Sequence, residues 1–255
     1  MPLTFAHPSA VLPLFRTPFV PAALVAGSMS PDLPYFLGAT GTAVTAQSWY
    51  EPFFNATTSH SPLGALTVSL PVALLFYLGM VAAAPPAATV LREGAVPDRA
   101  GDGRGPARFA IRAGWILVSL LIGIAAHLAW DSITHGWAAH NVTALQQPLV
   151  GSLSAARTLQ HVSGVLGSSI IAWFVWRRRA RLVPEHGTAA RARLLGAVAI
   201  AAAAGLLGAT ATLVDRWEVA VTGTGLGATA AGVAMIAGWW LLRLRPGHRD
   251  DLVRR

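Results

Sequence analysis

The strongest constraint on the fold of this chain is a series of long apolar runs. Five runs reach the length of about 20 residues that a helix needs to cross a bilayer. They cover residues 63–84, 110–130, 159–176, 194–214 and 222–242. The chain is 54% hydrophobic and only 12% charged, whereas soluble domains carry about 25% charged residues. We therefore predict an all-α integral membrane protein, a helical bundle of about five transmembrane helices.

The N-terminal region differs from these runs. Its apolar stretches, 8–15 and 21–29, are interrupted by prolines and are short, since a spanning helix needs about 20 residues. We predict a short helical hairpin that is either half inserted in the membrane or lies at its interface. The start of the chain also lacks the basic region and the cleavage site of a secretory signal.

We interpret the chain as a single membrane domain over 1–255 with three parts. The N-terminal hairpin and an outer loop occupy 1–62, the spans that carry the polar motifs occupy 63–176, and a C-terminal helix pair with a basic tail occupies 177–255. The C-terminal pair is rich in alanine and carries none of the candidate site residues. We expect it to close the bundle around the other spans.

The arginines predict the orientation of the spans. The chain has 19 basic residues and no lysine, and most of its arginines lie in 85–109, in 177–193 and in the C-terminal tail. The opposite connections contain only Arg157 and Arg216. Because cytoplasmic loops are enriched in Lys and Arg, we predict that the arginine-rich loops and the C-terminus are cytoplasmic. The other connections are then extracytoplasmic.

The composition favours a multi-pass protein of a bacterial inner membrane. A lysine-free chain rich in Ala, Gly, Pro and Arg is typical of a GC-rich bacterial genome. A net charge of +8 is also compatible with nucleic-acid binding. The arginines flank apolar runs, however, so we expect membrane lipid as the partner and no nucleic acid.

A polar motif ends the second apolar run. In "AAHLAWDSITHGW", residues 125–137, the side chains of His127, Asp131 and His135 are spaced four residues apart. Residues four apart are neighbours on a helix, so either pair could bind one ion. One ion shared by both histidines requires the helix to end before His135, because eight residues rise about 12 Å. Ionisable groups at membrane depth are costly and usually functional, although a hydrogen-bonded interfacial cluster explains the triplet equally well.

Further candidate ligands lie on the predicted outer side or in the N-terminal region. Asp32 follows a helix end in a Pro-Asp-Leu-Pro turn, His60 precedes the first full span, His7 begins the hairpin, and His161 begins the third span. Each one alone fits a cap, a turn or an interfacial residue. Their convergence at one membrane face favours a metal site, which must use nitrogen and oxygen ligands because the chain has no cysteine.

These motifs resemble a known bacterial family. The order "MPLTFAHPSAVLPL", "LVAGSMSPDLPYF", "SHS" and "HLAWDSITHG" resembles the family catalogued as domain of unknown function 4184, over nearly the whole chain up to His161. That family is similar in motif order to inner-membrane metal-dependent hydrolases, and more distantly to the fold of zinc-dependent phospholipase C. The resemblance implies a five-residue ligand set: His7, Asp32, His60, His127 and Asp131. His135 and His161 would be additional ligands.

One departure from the hydrolase pattern leaves the metal number and the substrate class open. The hydrolase relatives often carry an Asp-x-Asp-His or a His-Arg-Gly element. Here the turn reads Asp32, Leu33 and Pro34, and Ser59 precedes His60.

The leading functional prediction is a membrane-bound hydrolase that uses a divalent metal. Zinc is favoured by imidazole ligands, and manganese or iron also fits. At an outward-facing site the nearest esters and phosphodiesters are those of lipids or lipid-linked molecules. Asp32 or Asp131 could bridge ions or act as a catalytic base. Arg157 could hold a substrate phosphate or extend to the headgroups as an ordinary surface residue.

The alternative prediction is a non-catalytic membrane protein. It could be a metal carrier, or a structural module whose polar cluster ties helices together. A carrier needs polar residues along a path through the bilayer, and the cytoplasmic halves of the first three spans are almost wholly apolar. The structural module remains the stronger of these two alternatives.

Overall fold

The computed structural model describes residues 4–34, 56–91 and 106–182. The predicted spans at 194–214 and 222–242, and the basic tail, lie outside these residues. The chain divides into two compact units. The first consists of Met1–Gly38, Ala43–Gly79 and Arg99–Arg179, and the second consists of Ala39–Thr42, Met80–Asp98 and Ala180–Arg255. All candidate site residues belong to the first unit.

Short helical elements form the N-terminal segment. They are the 3-10 turn Thr4–Ala6, helix α1 (Pro8–Val11), the 3-10 turn Leu12–Leu14, helix α2 (Pro21–Met29) and the 3-10 turn Ser30–Asp32. Proline lies in the first turn of the last four of these elements, where its missing amide hydrogen leaves no helical bond unmade. The elements coincide with the short helical stretches predicted at 8–15 and 21–29.

The next described segment leads into the first long helix. It consists of α3 (Ala56–Ser59), α4 (Pro62–Gly64), a π-helical turn at Ala65–Ser69 and α5 (Leu70–Leu91). The side chain of Ser61 caps α4 by accepting a hydrogen bond from the amide of Gly64. This cap fixes the path of the chain immediately after His60.

Two further long helices follow, α6 (Pro106–Thr134) and α9 (Ala155–Leu182). Three segments of the described chain are long and apolar enough to cross a membrane: Pro62–Ala84, Pro106–Asn141 and Ala155–Arg177. They contain the first three predicted spans. The observed α6 is longer at both ends than the predicted run 110–130, because polar residues at its ends continue the helix beyond the apolar stretch.

The connection between α6 and α9 contains the short helices α7 (Trp137–Asn141) and α8 (Thr143–Gln146). An antiparallel hairpin of β1 (Pro148–Val150) and β2 (Leu153–Ser154) follows. Gly151 takes a φ of 58° in the turn, a conformation that glycine adopts without strain. The described chain is otherwise helical, as predicted, and these strands of three and two residues are a local exception. They are too short to produce a recognisable alternation of apolar and polar residues.

A close crossing of α2 and α6 positions the site. A Cβ atom on Gly27 would collide with the carbonyl oxygen of Leu120, and one on Gly123 would collide with that of Leu24. Small residues at such crossings allow two helix backbones to approach closely. The crossing lies one helical turn before His127, so it holds the end of α2 and the turn after it against the polar end of α6.

Candidate metal centre

Four side chains from three segments of the chain meet in one cluster: Asp32, His60, His127 and Asp131. One ligand atom from each lies within 4.8 Å of the other three. Three of the four residues are buried, and His60 is partly exposed. We call this group the His/Asp cluster; it is arranged so that it could hold a metal ion.

The distances inside the His/Asp cluster are short. The Nε2 atoms of His60 and His127 lie 3.3 Å apart. The Oδ2 atom of Asp131 lies 3.2 Å from Nε2 of His127 and 3.3 Å from Nε2 of His60. The Oδ1 atom of Asp32 lies 3.5 Å from Nε2 of His127 and 3.7 Å from Nε2 of His60. Two imidazole nitrogens and two carboxylate oxygens therefore face one another.

Local structure explains how each ligand reaches the cluster. His127 and Asp131 lie on one face of α6 because they are four residues apart. Asp32 ends the 3-10 turn that follows α2, and His60 follows α3. The hydroxyl of Ser59 donates to the carbonyl oxygen of Pro31 at 2.8 Å, so the segments that carry Asp32 and His60 are bonded to each other.

Hydrogen bonds fix the orientation of both histidine rings. The carbonyl oxygen of Ser28 can only accept, so Nδ1 of His127 donates to it, at 2.8 Å. The hydroxyl of Ser59 gives its hydrogen to Pro31 and therefore accepts from Nδ1 of His60, at 3.1 Å. In the neutral imidazole, Nε2 is then the acceptor. When neutral, both rings direct an unprotonated nitrogen into the cluster, which is the arrangement that outer hydrogen bonds impose on metal-bound histidines.

Asp32 is held in the same manner. The hydroxyl of Thr4 donates to its Oδ2 atom at 2.5 Å, which leaves Oδ1 directed towards the histidines. Burial raises the pKa of Asp32, but the neighbouring His127 and the hydrogen bond from Thr4 outweigh burial and hold the pKa below its usual value. The Asp32 carboxyl group is therefore ionised at neutral pH.

His7 packs against the cluster. Its ring stacks on that of His127 with a centroid distance of 3.9 Å and an interplanar angle of 27°, and its Nε2 atom lies 3.5 Å from Oδ1 of Asp131. Burial, and then the neighbouring His127, lower the pKa of His7 to about 4, although Asp131 and Asp32 act in the opposite direction. His7 is therefore a neutral imidazole at pH 7.

The cluster and the adjacent His7 contain buried polar atoms without hydrogen bonds. Among the residues that the structure describes, four buried side-chain atoms have no hydrogen-bond partner: both ring nitrogens of His7 and both carboxylate oxygens of Asp131. Native proteins pair nearly all such atoms. Their concentration at one place is the expected property of a site that binds a ligand.

His135 contacts the edge of the cluster. Helix α6 ends at Thr134, and the amides of His135 and Gly136 both donate to the carbonyl oxygen of Asp131. This turn brings Nε2 of His135 to 3.2 Å from Oδ2 of Asp131. The hydroxyl of Thr134 lies 2.9 Å from Nδ1 of His135 and donates to the carbonyl oxygen of Trp130, so it accepts from His135 as Ser59 does from His60.

Two predicted site residues, His161 and Arg157, are not among the four grouped ligands. His161 is exposed on α9. Arg157, also exposed, donates a hydrogen bond from Nη1 to Oε1 of Gln160 at 2.5 Å. Their roles as a metal ligand and a phosphate-binding residue stay predictions.

Four residues that orient the histidines and Asp32 were not predicted from the sequence: Thr4, Ser28, Ser59 and Thr134. One signal was present, because a hydroxyl residue directly precedes a histidine in both Ser59-His60 and Thr134-His135. The roles of Thr4 and of the Ser28 carbonyl oxygen depend on tertiary contacts, which local sequence does not reveal.

Over the described residues, the chain is largely helical, with three helices of membrane-spanning length and a buried His/Asp cluster suited to a metal ion. The chain belongs to the family described as "Domain of unknown function (DUF4184)", which matches residues 1–242. This match confirms the resemblance found in the sequence. No curated protein and no solved structure matches the chain.

Proposed function

We propose that this protein is a membrane-embedded, metal-dependent hydrolase that acts on a lipid or on a lipid-linked ester or phosphodiester. The observation that carries the proposal is the approach of two Nε2 atoms to 3.3 Å between His60 and His127. Both rings use Nδ1 as a donor elsewhere. Two acceptor nitrogens and two carboxylates repel one another unless a cation lies between them, and a divalent metal ion supplies that charge.

The donor set narrows the choice of ion. Imidazole nitrogen and carboxylate oxygen, without thiolate, suit zinc, manganese or iron, and the two imidazoles favour zinc. Asp32, His60, His127 and Asp131 would hold the ion, with the outer oxygens of Thr4, Ser28 and Ser59 holding three of these ligands in place. His7 and His135 would contact the same centre through Asp131, because their Nε2 atoms lie 3.5 Å and 3.2 Å from its carboxylate oxygens.

The chemistry proposed here is activation of water. A bound divalent ion lowers the pKa of a coordinated water to about 7. Catalytic zinc sites use three protein ligands, so with zinc one carboxylate of Asp32 or Asp131 would remain outside the coordination shell and accept the proton of the attacking water. Asp131 is the better candidate for this base, because no hydroxyl or amide of the described residues holds its carboxylate, whereas Thr4 holds Asp32.

The location of the cluster supports a lipid substrate. His127 and Asp131 lie among the last eight residues of α6, and this helix belongs to a segment long enough to span the membrane. His60 and His135 are the partly exposed members of the site, so we infer that substrate approaches past them. At such a boundary the most abundant ester and phosphodiester bonds belong to lipids. Arg157 is a candidate for holding the phosphate of such a substrate.

The alternative, a structural polar cluster or a metal carrier, is less well supported. A cluster that only ties helices together should satisfy its own hydrogen bonds, but four buried atoms of His7 and Asp131 do not. A proton shared within the cluster would neutralise part of its charge without any metal, and experiment separates this case from metal binding.

The hydrolase proposal can be tested with the protein reconstituted in phosphatidylethanolamine and phosphatidylglycerol vesicles. Lipid products are measured by mass spectrometry, with bis(p-nitrophenyl) phosphate and p-nitrophenyl butyrate as general phosphodiester and ester probes. We expect hydrolysis that a chelator removes, that zinc or manganese restores, and that Asp131→Asn abolishes. Metal-loaded, folded protein that hydrolyses neither the lipids nor the probes would contradict the proposal.

A further inference from the structure

The segment between α6 and α9, residues 137–154, has an unusual composition for a loop outside the membrane. Residues 132–156 contain no Asp, Glu, Lys or Arg. Their polar residues are Ser, Thr, Asn, Gln and His, all of which form hydrogen bonds, and large apolar residues are interspersed among them. We call residues 137–154 the connecting segment.

The apolar side chains of the connecting segment are not packed into the described structure. Leu149, Val150 and Leu153 are 62%, 58% and 41% exposed, and Trp137 is 71% exposed. Successive residues of a strand point to opposite faces. Because both Leu149 and Val150 are exposed, neither face of the hairpin is covered by the residues that the structure describes.

A hairpin of this kind needs a surface to lie on. An isolated two-stranded hairpin is at best marginally stable in water, and this one pairs Val150 with Leu153 in the open. The segment is also tethered at both ends, because α6 ends at Thr134 and α9 begins at Ala155. Both helices belong to segments long enough to cross a membrane, so the tethers keep the hairpin beside the bilayer surface.

We propose that the connecting segment lies in the interfacial layer of the bilayer, with Leu149, Val150 and Leu153 inserted at the boundary between headgroups and acyl chains. The inference rests on the membrane-spanning arrangement that is part of the proposed function. A hydrogen-bonding segment that has an exposed tryptophan and lacks Asp, Glu, Lys and Arg has the composition of this layer. Its depth is limited, because the unpaired backbone groups at the hairpin edges cannot enter the hydrocarbon core.

This placement also specifies the substrate class of the proposed hydrolase. His135 lies two residues before Trp137, and it is one of the two partly exposed residues of the site. An interfacial connecting segment therefore puts the opening of the site at the level of the lipid headgroups. A lipid that diffuses within the bilayer reaches this opening directly, whereas a water-soluble substrate has to cross the headgroup layer.

The test uses the absence of cysteine from the chain. Single variants Leu149→Cys and Leu153→Cys are labelled with the fluorophore NBD and reconstituted in phosphatidylcholine and phosphatidylglycerol vesicles. Leu78→Cys, at an exposed position in the first candidate span, is the reference for bilayer depth. Quenching is compared between lipids with a nitroxide near the headgroup, lipids with a nitroxide deep in the acyl chain, and iodide in water.

Interfacial segments insert about 5–10 Å, so we expect the shallow nitroxide to quench labels at 149 and 153 more strongly than the deep one. For the label at position 78 we expect the deep nitroxide to quench more strongly than the shallow one. Strong iodide quenching without nitroxide quenching would place the hairpin in water and overturn the inference. Protection from iodide without nitroxide quenching would also overturn it, because a protein surface would then cover the hairpin.

Two controls keep the result interpretable. Val150→Cys provides another label site if one variant misfolds, and circular dichroism checks the helical content of each variant. If the deep nitroxide does not quench the label at 78, the membrane-spanning arrangement is itself wrong, and the inference is overturned as well. Lack of hydrolase activity leaves all quenching results unchanged, so failure of the catalytic proposal can be distinguished from failure of this inference.

Discussion

At the scale of single residues, hydrogen bonds from neighbouring groups orient three of the four ligands of the centre. Thr4 binds Asp32, the Ser28 carbonyl oxygen binds His127, and Ser59 binds His60. Each of these outer contacts occupies one polar atom of the ligand and directs the other into the His/Asp cluster. Such contacts commonly contribute 10- to 100-fold to metal affinity, so their loss should be measurable without removing any ligand.

Thr4→Val tests this arrangement. The substitution removes the hydroxyl that binds Oδ2 of Asp32 and keeps a branched side chain of similar size, so we expect zinc affinity to fall about 10- to 100-fold. Competition against a fluorescent chelator measures it. The matched control is Thr67→Val, which removes an exposed hydroxyl that donates only to its own helix at Leu63. Equal affinities in the two variants would contradict the assigned role of Thr4.

Substitution of His161 tests whether this residue is a ligand of the metal centre. It is exposed on α9, while the His/Asp cluster already contains four ligand atoms. We expect His60→Ala to lower metal affinity more than about tenfold, as the loss of a ligand or of its support does, and His161→Ala to change it little. If both variants lose the metal equally, the sequence prediction that His161 is a ligand is right and the four-residue centre is incomplete.

Part of this site could be predicted from local sequence, and part could not. The spacing of His127 and Asp131 places both on one helical face, and the contact with His135 requires the helix to end at Thr134, as it does. The meeting of Asp32 and His60 with these residues depends on tertiary packing. Their predicted location at one membrane face and the motif order that resembles the family both indicated a common site, but neither predicted the contacts.

At the scale of helices and strands, the crossing of α2 with α6 brings the separate segments together. Gly27 and Gly123 leave room for two backbones in contact. The long helices and the N-terminal short helices could be predicted, because apolar run length and proline position are local properties. The crossing point and the hairpin after α8 could not, since both depend on contacts between residues distant in sequence or on strands of two or three residues.

Gly27→Ala tests the crossing. The added methyl group would meet the carbonyl oxygen of Leu120, and overpacking of this kind costs about 1–3 kcal/mol. We expect a lower melting temperature and weaker metal binding, because α2 carries the Ser28 carbonyl oxygen and the turn to Asp32. Thermal unfolding in detergent and metal titration measure the two effects.

The control for the crossing is Gly114→Ala, on the same helix as Gly123. A Cβ there meets nothing within 4 Å, and alanine favours a helix over glycine by up to about 1 kcal/mol. We expect this variant to be as stable as the wild type or more stable, with unchanged metal binding. A Gly27→Ala variant that behaves like Gly114→Ala would show that the crossing is looser than described.

At the scale of the whole molecule, the metal centre would act as a cross-link. It joins the N-terminal segment, the residues before the first long helix and the end of α6, with Asp32, His60 and His127 far apart in sequence. A ligand that binds only the folded state stabilises it by about 2.7 kcal/mol at 100 times its dissociation constant. Metal should therefore stabilise the described unit as a whole, beyond its effect on the four ligands.

Removal of metal tests the cross-link. We expect chelated protein to unfold at a lower temperature than metal-loaded protein in the same detergent, and zinc or manganese to restore the original value. His60→Ala should show a much smaller response to added metal, because it lacks one of the four ligands. If wild-type protein unfolds at the same temperature with and without the ion, the cluster does not connect the three segments through a metal.

The most direct test of the central claim is the metal content of detergent-purified protein, measured by elemental mass spectrometry. The variant His127→Ala/Asp131→Ala removes two buried members of the cluster, and His140→Ala/Asn141→Ala removes two exposed polar residues just beyond it. We predict one or more zinc, manganese or iron ions per chain in the wild type and in the exposed-residue variant, and none in the cluster variant. Folded wild-type protein that contains no metal and takes up none would contradict the account and leave a polar cluster that only ties the helices together.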